Sequence, residues 1–116
     1  MKITNVSTSK GNLSHCTLSE GQLINTTSDF LDILHSCETQ TVVIDKETLA
    51  EHFFDLKSGF AGDLLQKVSN YRKKLMIIGD YKDIESNSLK SFIYESNRGG
   101  TVLFVSTIES GVELLH

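Results

Sequence analysis

The chain has 116 residues, and its 15 acidic residues outnumber the 11 basic ones, which gives a formal net charge of −4. This length suits one domain with a single core, and the acidic balance argues against a dedicated nucleic-acid binder, which would need a basic face. The longest apolar runs, such as LMII, are much shorter than the roughly 20 residues of a membrane-spanning helix, so we expect no membrane association.

The N-terminal residues predict a β-hairpin followed by a helix. KITNVS and LSHCTLS have strand-like composition, and SKGN between them suits a tight turn. In TTSDFLDILHSC the apolar residues recur with the helical period of about 3.6 residues, and residues 26–28 offer an N-cap. This segment therefore predicts a first amphipathic helix.

Three continuous apolar segments predict buried strands in the rest of the chain. They are TVVID, KLMIIGD and TVLFVST. Helical patterns alternate with them, which is typical of parallel strands joined by right-handed crossovers. The predicted order is β-β-α-β-α-β-α-β-α, an α/β fold in which the hairpin adds an antiparallel member to a mixed sheet. We expect residues 1–116 to form one domain.

The helices between these strands have clear apolar stripes and caps. The helical spacing of the apolar residues predicts that the inward face of the second helix consists of Phe60, Leu64, Val68 and Tyr71. Ser86 and Thr107 suit the N-caps of the third and fourth helices. Residues 46–57 lack a clear period, although the apolar residues of this segment are compatible with one short helical turn.

Polar residues follow each of the buried strands. Asp45, Asp80 and Ser106 come at the carboxyl ends of the three strands, and the segment before the second helix adds Asp55 and Ser58. In an open parallel sheet these ends lie beside helix N-termini, where ligands usually bind. We therefore expect these residues to share one rim.

The ionisable residues show no assembled catalytic or metal site. Cys16 and Cys37 lack zinc-site spacing, and each diverges from the histidine near it in sequence. With no secretory leader preceding them, we expect reduced, buried thiols in a cytoplasmic protein that needs no cofactor. Asp45 and Asp80 could act as a paired acid and base if they meet, but carboxylates at strand ends also cap turns.

The order of motifs resembles two families. GQLIN before the first helix, and VVID followed by FFDLKSGFAGDLL, are similar to the sulfate-transporter and anti-sigma-antagonist (STAS) domain. The run from FFDLKSGFAGDLLQKVSNYR through LMIIGD to SFIYESNRGG and FVST looks like a small bacterial family catalogued only as a domain of unknown function. The second resemblance implies a freestanding bacterial domain without an established activity.

The STAS resemblance implies a role for one serine. Anti-sigma antagonists are phosphorylated by a partner kinase on the second serine of an Asp-Ser-Ser-Gly motif, and the matching residues here are Ser58 and Gly59, with Lys57 in place of the first serine. A phosphate there would meet the positive end of the second helix. Ser58 is equally suited to be a helix cap, and the two roles are compatible.

Four functional hypotheses remain open at the level of sequence. The first is a regulatory protein-interaction module, under phosphorylation control, that docks a partner through the predicted rim. That rim comprises Asp45, Phe54, Asp55, Lys57, Ser58, Gly59, Phe60, Asp80 and Ser106. The second is a binding protein that encloses an apolar or anionic small molecule among Phe53, Phe54 and Phe60. The third is an enzyme using Asp45 or Asp80, and the fourth is a homodimer formed through the strand edges of the hairpin.

Overall fold

A single five-stranded sheet organises the domain. The computed structural model describes residues 1–115, and its strands lie in the order of the chain, with β1 antiparallel to β2 and the other neighbours parallel. The strands are β1 (Lys2–Thr8), β2 (Gly11–Thr17), β3 (Thr41–Asp45), β4 (Lys74–Ile78) and β5 (Val102–Val105). This arrangement confirms the predicted α/β fold with a mixed sheet.

Four α-helices cover the two faces of the sheet unequally. They are α1 (Thr27–Ser36), α2 (Phe60–Asn70), α3 (Asn87–Gly99) and α4 (Ile108–Leu114). The first three pack on one face, where alternate strand residues such as Val42 and Ile77 meet Phe30 and Leu64. The short α4 covers Met76 and its neighbours on the opposite face.

Helix α1 begins as its sequence predicts. Thr26 Oγ1 accepts a hydrogen bond from the Asp29 amide at 3.0 Å, and the Asp29 carboxylate accepts one from the Thr26 amide at 3.2 Å. This reciprocal capping box satisfies two amides that lack partners within the helix. Ser86 and Thr107 likewise cap α3 and α4.

One residue of the predicted stripe on α2 lies outside the core. Tyr71 is 48% exposed, because α2 ends at Asn70 and Arg72 adopts a left-handed conformation with φ of 55°. The chain turns there toward β4, and the Tyr71 ring packs edge-on against His35. The prediction of Tyr71 as an inward-facing helix residue was therefore wrong.

The crossover between β3 and α2 contains three short 3₁₀ turns, at Lys46–Thr48, Glu51–Phe54 and Leu56–Ser58. A parallel bridge between Ile24 and Leu49 fixes this segment against the residues before α1. Leu49 and Phe53 are buried, so the crossover contributes to the core. Across residues 1–115, no helix combines the length and apolarity that crossing a bilayer requires.

Candidate functional site

The carboxyl ends of β3, β4 and β5 border two adjoining depressions that share Gly79 and Asp80. One has a volume of about 620 Å³ and lies between residues 79–82 and 104–106. The other, of about 530 Å³, is bordered mainly by the start of the β3–α2 crossover. Together they form an open groove, here called the carboxyl-edge groove.

Lys46 occupies the middle of this groove. Its ammonium lies 5.6 Å from the ring centre of Phe54 and 4.9 Å from that of Tyr81, and it donates a hydrogen bond to the Asp80 carbonyl. Both distances lie within the range of cation–π attraction. The Lys46 side chain crosses directly above Gly79, where an added Cβ would lie 2.5 Å from Lys46 Cβ. Glycine at position 79 therefore permits this close approach.

The β4 side of the groove is held by fixed polar contacts. The Tyr81 hydroxyl donates to the Ile77 carbonyl at 2.8 Å, and the Tyr81 ring packs on Phe104 with ring centres 5.7 Å apart. Burial raises the pKa of Tyr81, so its hydroxyl stays protonated at neutral pH. The Asp80 carboxylate accepts from the Lys82 amide at 2.9 Å and closes a local turn.

Ser58 lies on the exposed loop immediately before α2. Its Oγ donates to the His52 carbonyl at 2.6 Å and accepts from the Phe60 amide at 3.2 Å. Gly59 has φ of 79°, a left-handed conformation that glycine adopts without a steric penalty. The hydroxyl thus links the 3₁₀ turn at Glu51–Phe54 to the first residue of α2, and Ser58 as a whole is an exposed residue.

The other rim residues of this loop fall into two groups. Asp55 and Lys57 are exposed, and the Asp55 carboxylate accepts from the Lys57 amide at 3.2 Å. Phe60 is only 6% exposed and packs against Phe53 with ring centres 6.0 Å apart, so both rings belong to the core. Of the three aromatic residues considered for a ligand cavity, Phe54 is the one that lines the groove.

Asp45 and Asp80 have different surroundings. Asp45 shares the α4 side of the sheet with Val43, and its carboxylate lies 3.2 Å from Nε2 of His15. Asp80 and Ser106 line the groove instead. The contacts therefore give the two carboxylates separate partners and do not assemble them as an acid and base.

The pair of His15 and Asp45 was missed by sequence reasoning. Both side chains are about one-quarter exposed, at 26% and 27% respectively. The pairing of β2 with β3 brings them together, since His15 lies opposite Val43 and two-residue alternation places Asp45 on the same face. In the sequence, the only signal for this contact was the alternation of side chains between the two faces of each strand. That signal predicts the contact only when β2 and β3 are known to be neighbours.

Cys16 and Cys37 are free, buried thiols, as their sequence context predicts. Burial, followed by the nearby Cys37 thiol, raises the pKa of Cys16 to about 12. Cys16 is therefore neutral and a poor nucleophile at physiological pH. Within residues 1–115, no three His, Cys, Asp or Glu side chains come together in a way that could hold a metal ion.

Comparison with known proteins places the chain in one family. No curated protein and no solved structure matched it significantly. A family described as "Domain of unknown function (DUF4180)" matches residues 10–115, which include strands β2–β5 and the groove. Because this match covers most of the chain, the protein belongs to the DUF4180 family.

Proposed function

We propose that the protein is a regulatory interaction module that docks another protein at the carboxyl-edge groove and the adjoining Ser58 loop, under control of phosphorylation at Ser58. The observation that carries this proposal is that Ser58 is an exposed residue whose hydroxyl is bonded to the His52 carbonyl, within the crossover that also contributes Phe54 to the groove. A change at Ser58 can therefore alter the surface offered to a partner.

Phosphorylation would act on this loop in two ways. Esterified Ser58 Oγ can no longer donate to the His52 carbonyl, so this side-chain hydrogen bond between the two 3₁₀ turns would be lost. The phosphate would also add about 1.5 to 2 negative charges beside Lys57 and the N-terminus of α2. Both effects change the loop rather than the core, because Ser58 is exposed.

The charges of the groove favour a polar protein segment as its ligand. Lys46 and Lys82 lie among the carboxylates of Glu47, Glu51 and Asp80. This mixture of charges is typical of the polar rim of a protein interface. The resemblance to anti-sigma antagonists supports a bacterial, cytoplasmic setting in which the phosphorylating kinase is itself a partner.

Partner capture from a lysate of the source organism tests this proposal. Wild-type protein should retain a partner that both Lys46→Ala and Ser58→Asp lose, whereas Lys90→Ala should retain it, because Lys90 is exposed on α3 outside the groove lining. Mass spectrometry of the protein from its native source should find phosphate on Ser58. Equal recovery of partners by all four baits would contradict the proposal.

A small-molecule ligand is the second candidate, favoured by the size of the groove. Each depression falls within the roughly 300–1,000 Å³ that is typical of ligand sites. Native mass spectrometry should then show a retained mass that Phe54→Ala reduces and Tyr94→Ala, a change at an exposed ring on α3, does not. Wild-type protein that carries no added mass would count against this candidate.

A further inference from the structure

The two edge strands of the sheet, β1 and β5, differ in what lies beside them. At the β5 edge, the Asn97 side chain pairs with the backbone of Phe104, since Oδ1 accepts from its amide at 2.7 Å and Nδ2 donates to its carbonyl at 3.1 Å. Ser96 Oγ donates to the Val102 carbonyl at 2.6 Å. Residues of α3 therefore take the place of a sixth strand and close this edge.

Strand β1, at the other edge, has features that favour pairing with another strand. It is seven residues long, and within residues 1–115 its only neighbouring strand is β2. In an antiparallel ladder every second residue of an edge strand directs its N–H and C=O groups outward. Edge strands are commonly protected by charges, prolines or bulges, but residues 3–9 contain no charge and no proline, and the register with β2 is regular.

The charge distribution favours a second copy of this chain at β1. The chain carries a net charge of −4, yet its first acidic residue is Glu20, and the hairpin holds Lys2 and Lys10. In the fold, Glu109 and Glu113 of α4 border the same depression as residues 6–9. Antiparallel pairing of two β1 strands therefore brings Lys2 of each copy toward the acidic pair of the other. Met1 and Ile3 are 53% and 39% exposed, which provides apolar area beside the strand.

We infer that the protein forms a homodimer in which the β1 strands of two copies pair antiparallel about a two-fold axis at Asn5, producing one continuous ten-stranded sheet. Asn5 is the middle residue of β1, so this register pairs the strand along its whole length. Lys2 then lies opposite Thr8 of the second copy, and the lysines do not meet. The groove lies at the ends of β3–β5, so dimerisation leaves it open and does not depend on the proposed function.

Light scattering of the purified full chain tests the dimer. We expect a mass twice that of the 12.9 kDa chain, decreasing toward the monomer on dilution. Asn5→Lys would place two like charges opposite each other at the axis and should weaken dimerisation by up to about fivefold. Asn12→Lys is the matched control, because it adds the same charge to an exposed position of the hairpin on β2.

A disulfide cross-link tests the register. Opposed residues of an antiparallel pair have Cα atoms about 4.5–5.5 Å apart, a distance that a disulfide can span. Asn5→Cys should therefore form a covalent dimer under mild oxidation, whereas Asn12→Cys should not. The native thiols are buried and will not compete.

Three results would overturn the inference. The first is a wild-type protein that stays monomeric throughout the dilution series, which would leave β1 open to an extended segment of a different protein. The second is a dimer that Asn5→Lys and Asn12→Lys affect equally. The third is Asn5→Cys that cross-links no faster than Asn12→Cys.

Discussion

At the scale of single residues, the groove depends on the absence of a side chain. Gly79 has no Cβ, so Lys46 can cross above it and place its ammonium near the rings of Phe54 and Tyr81. Nothing in the local sequence IIGDYK identifies the partner of this glycine. The contact arises because β3 and β4 are adjacent and end in the same direction.

Gly79→Ala should destabilise the protein by about 1–3 kcal/mol, because the added methyl overlaps Lys46 near its backbone and forces a local shift. Urea denaturation measures this change. The matched control is Gly62→Ala in α2, where a Cβ meets no atom within 4 Å, and the helix should gain about 0.5–1 kcal/mol. Similar effects at the two positions would show that Lys46 does not pack against Gly79.

The Cys16 thiol should make stability depend on alkaline pH. Burial raises the pKa of this thiol from its ordinary value of 9.0 to about 12, so the unfolded chain releases its proton at lower pH than the folded protein does. The neutral Cys16 thiol therefore contributes to the free energy of unfolding. This contribution is fully present below pH 9 and is lost as the pH rises through the folded pKa, at up to about 1.4 kcal/mol per pH unit. Urea denaturation of wild type and Cys16→Ala between pH 8 and 11 should show a steeper decline for wild type, and parallel curves would contradict this.

At the scale of elements, α3 serves both as a covering helix and as an edge for the sheet. Asn97 and Ser96 lie in its last turns and hydrogen-bond the backbone of β5. The sequence SNRGG predicts only the left-handed exit of a helix, which Gly100 does supply. The pairing with β5 appears only once α3 packs beside that strand.

Asn97→Ala should destabilise the protein by about 1–3 kcal/mol, since it leaves the amide and carbonyl of Phe104 without their side-chain partner in a partly buried setting. Hydrogen exchange at the Phe104 amide should accelerate with it. The control is Ser91→Ala, an exposed position of the same helix, which should change stability by less than about 0.5 kcal/mol. Unchanged exchange at Phe104 would contradict the role given to Asn97.

At the scale of the whole molecule, one end of the sheet and one of its edges are available to other molecules. Parallel strands bring the ends of β3, β4 and β5 to the carboxyl-edge groove, while the hairpin places β1 at an edge without a covering helix. The two surfaces are separate, so a dimer through β1 can present two grooves. A partner that binds at the grooves and a second copy that binds at β1 would not compete.

The order of helices and strands, and most of the buried residues, could be predicted from the amino-acid sequence. The spacing of apolar residues and the helix caps are local properties of the sequence. They were therefore sufficient to predict the strand TVVID, the Thr26 cap and the buried face of α2 up to Val68. Tyr71 was misassigned because the end of α2 depends on the turn at Arg72. The contacts between residues distant in the chain could be seen only in the folded protein: Lys46 with Tyr81, His15 with Asp45, and Asn97 with Phe104. Such contacts depend on strand order and register, which are set by packing between segments far apart in the chain.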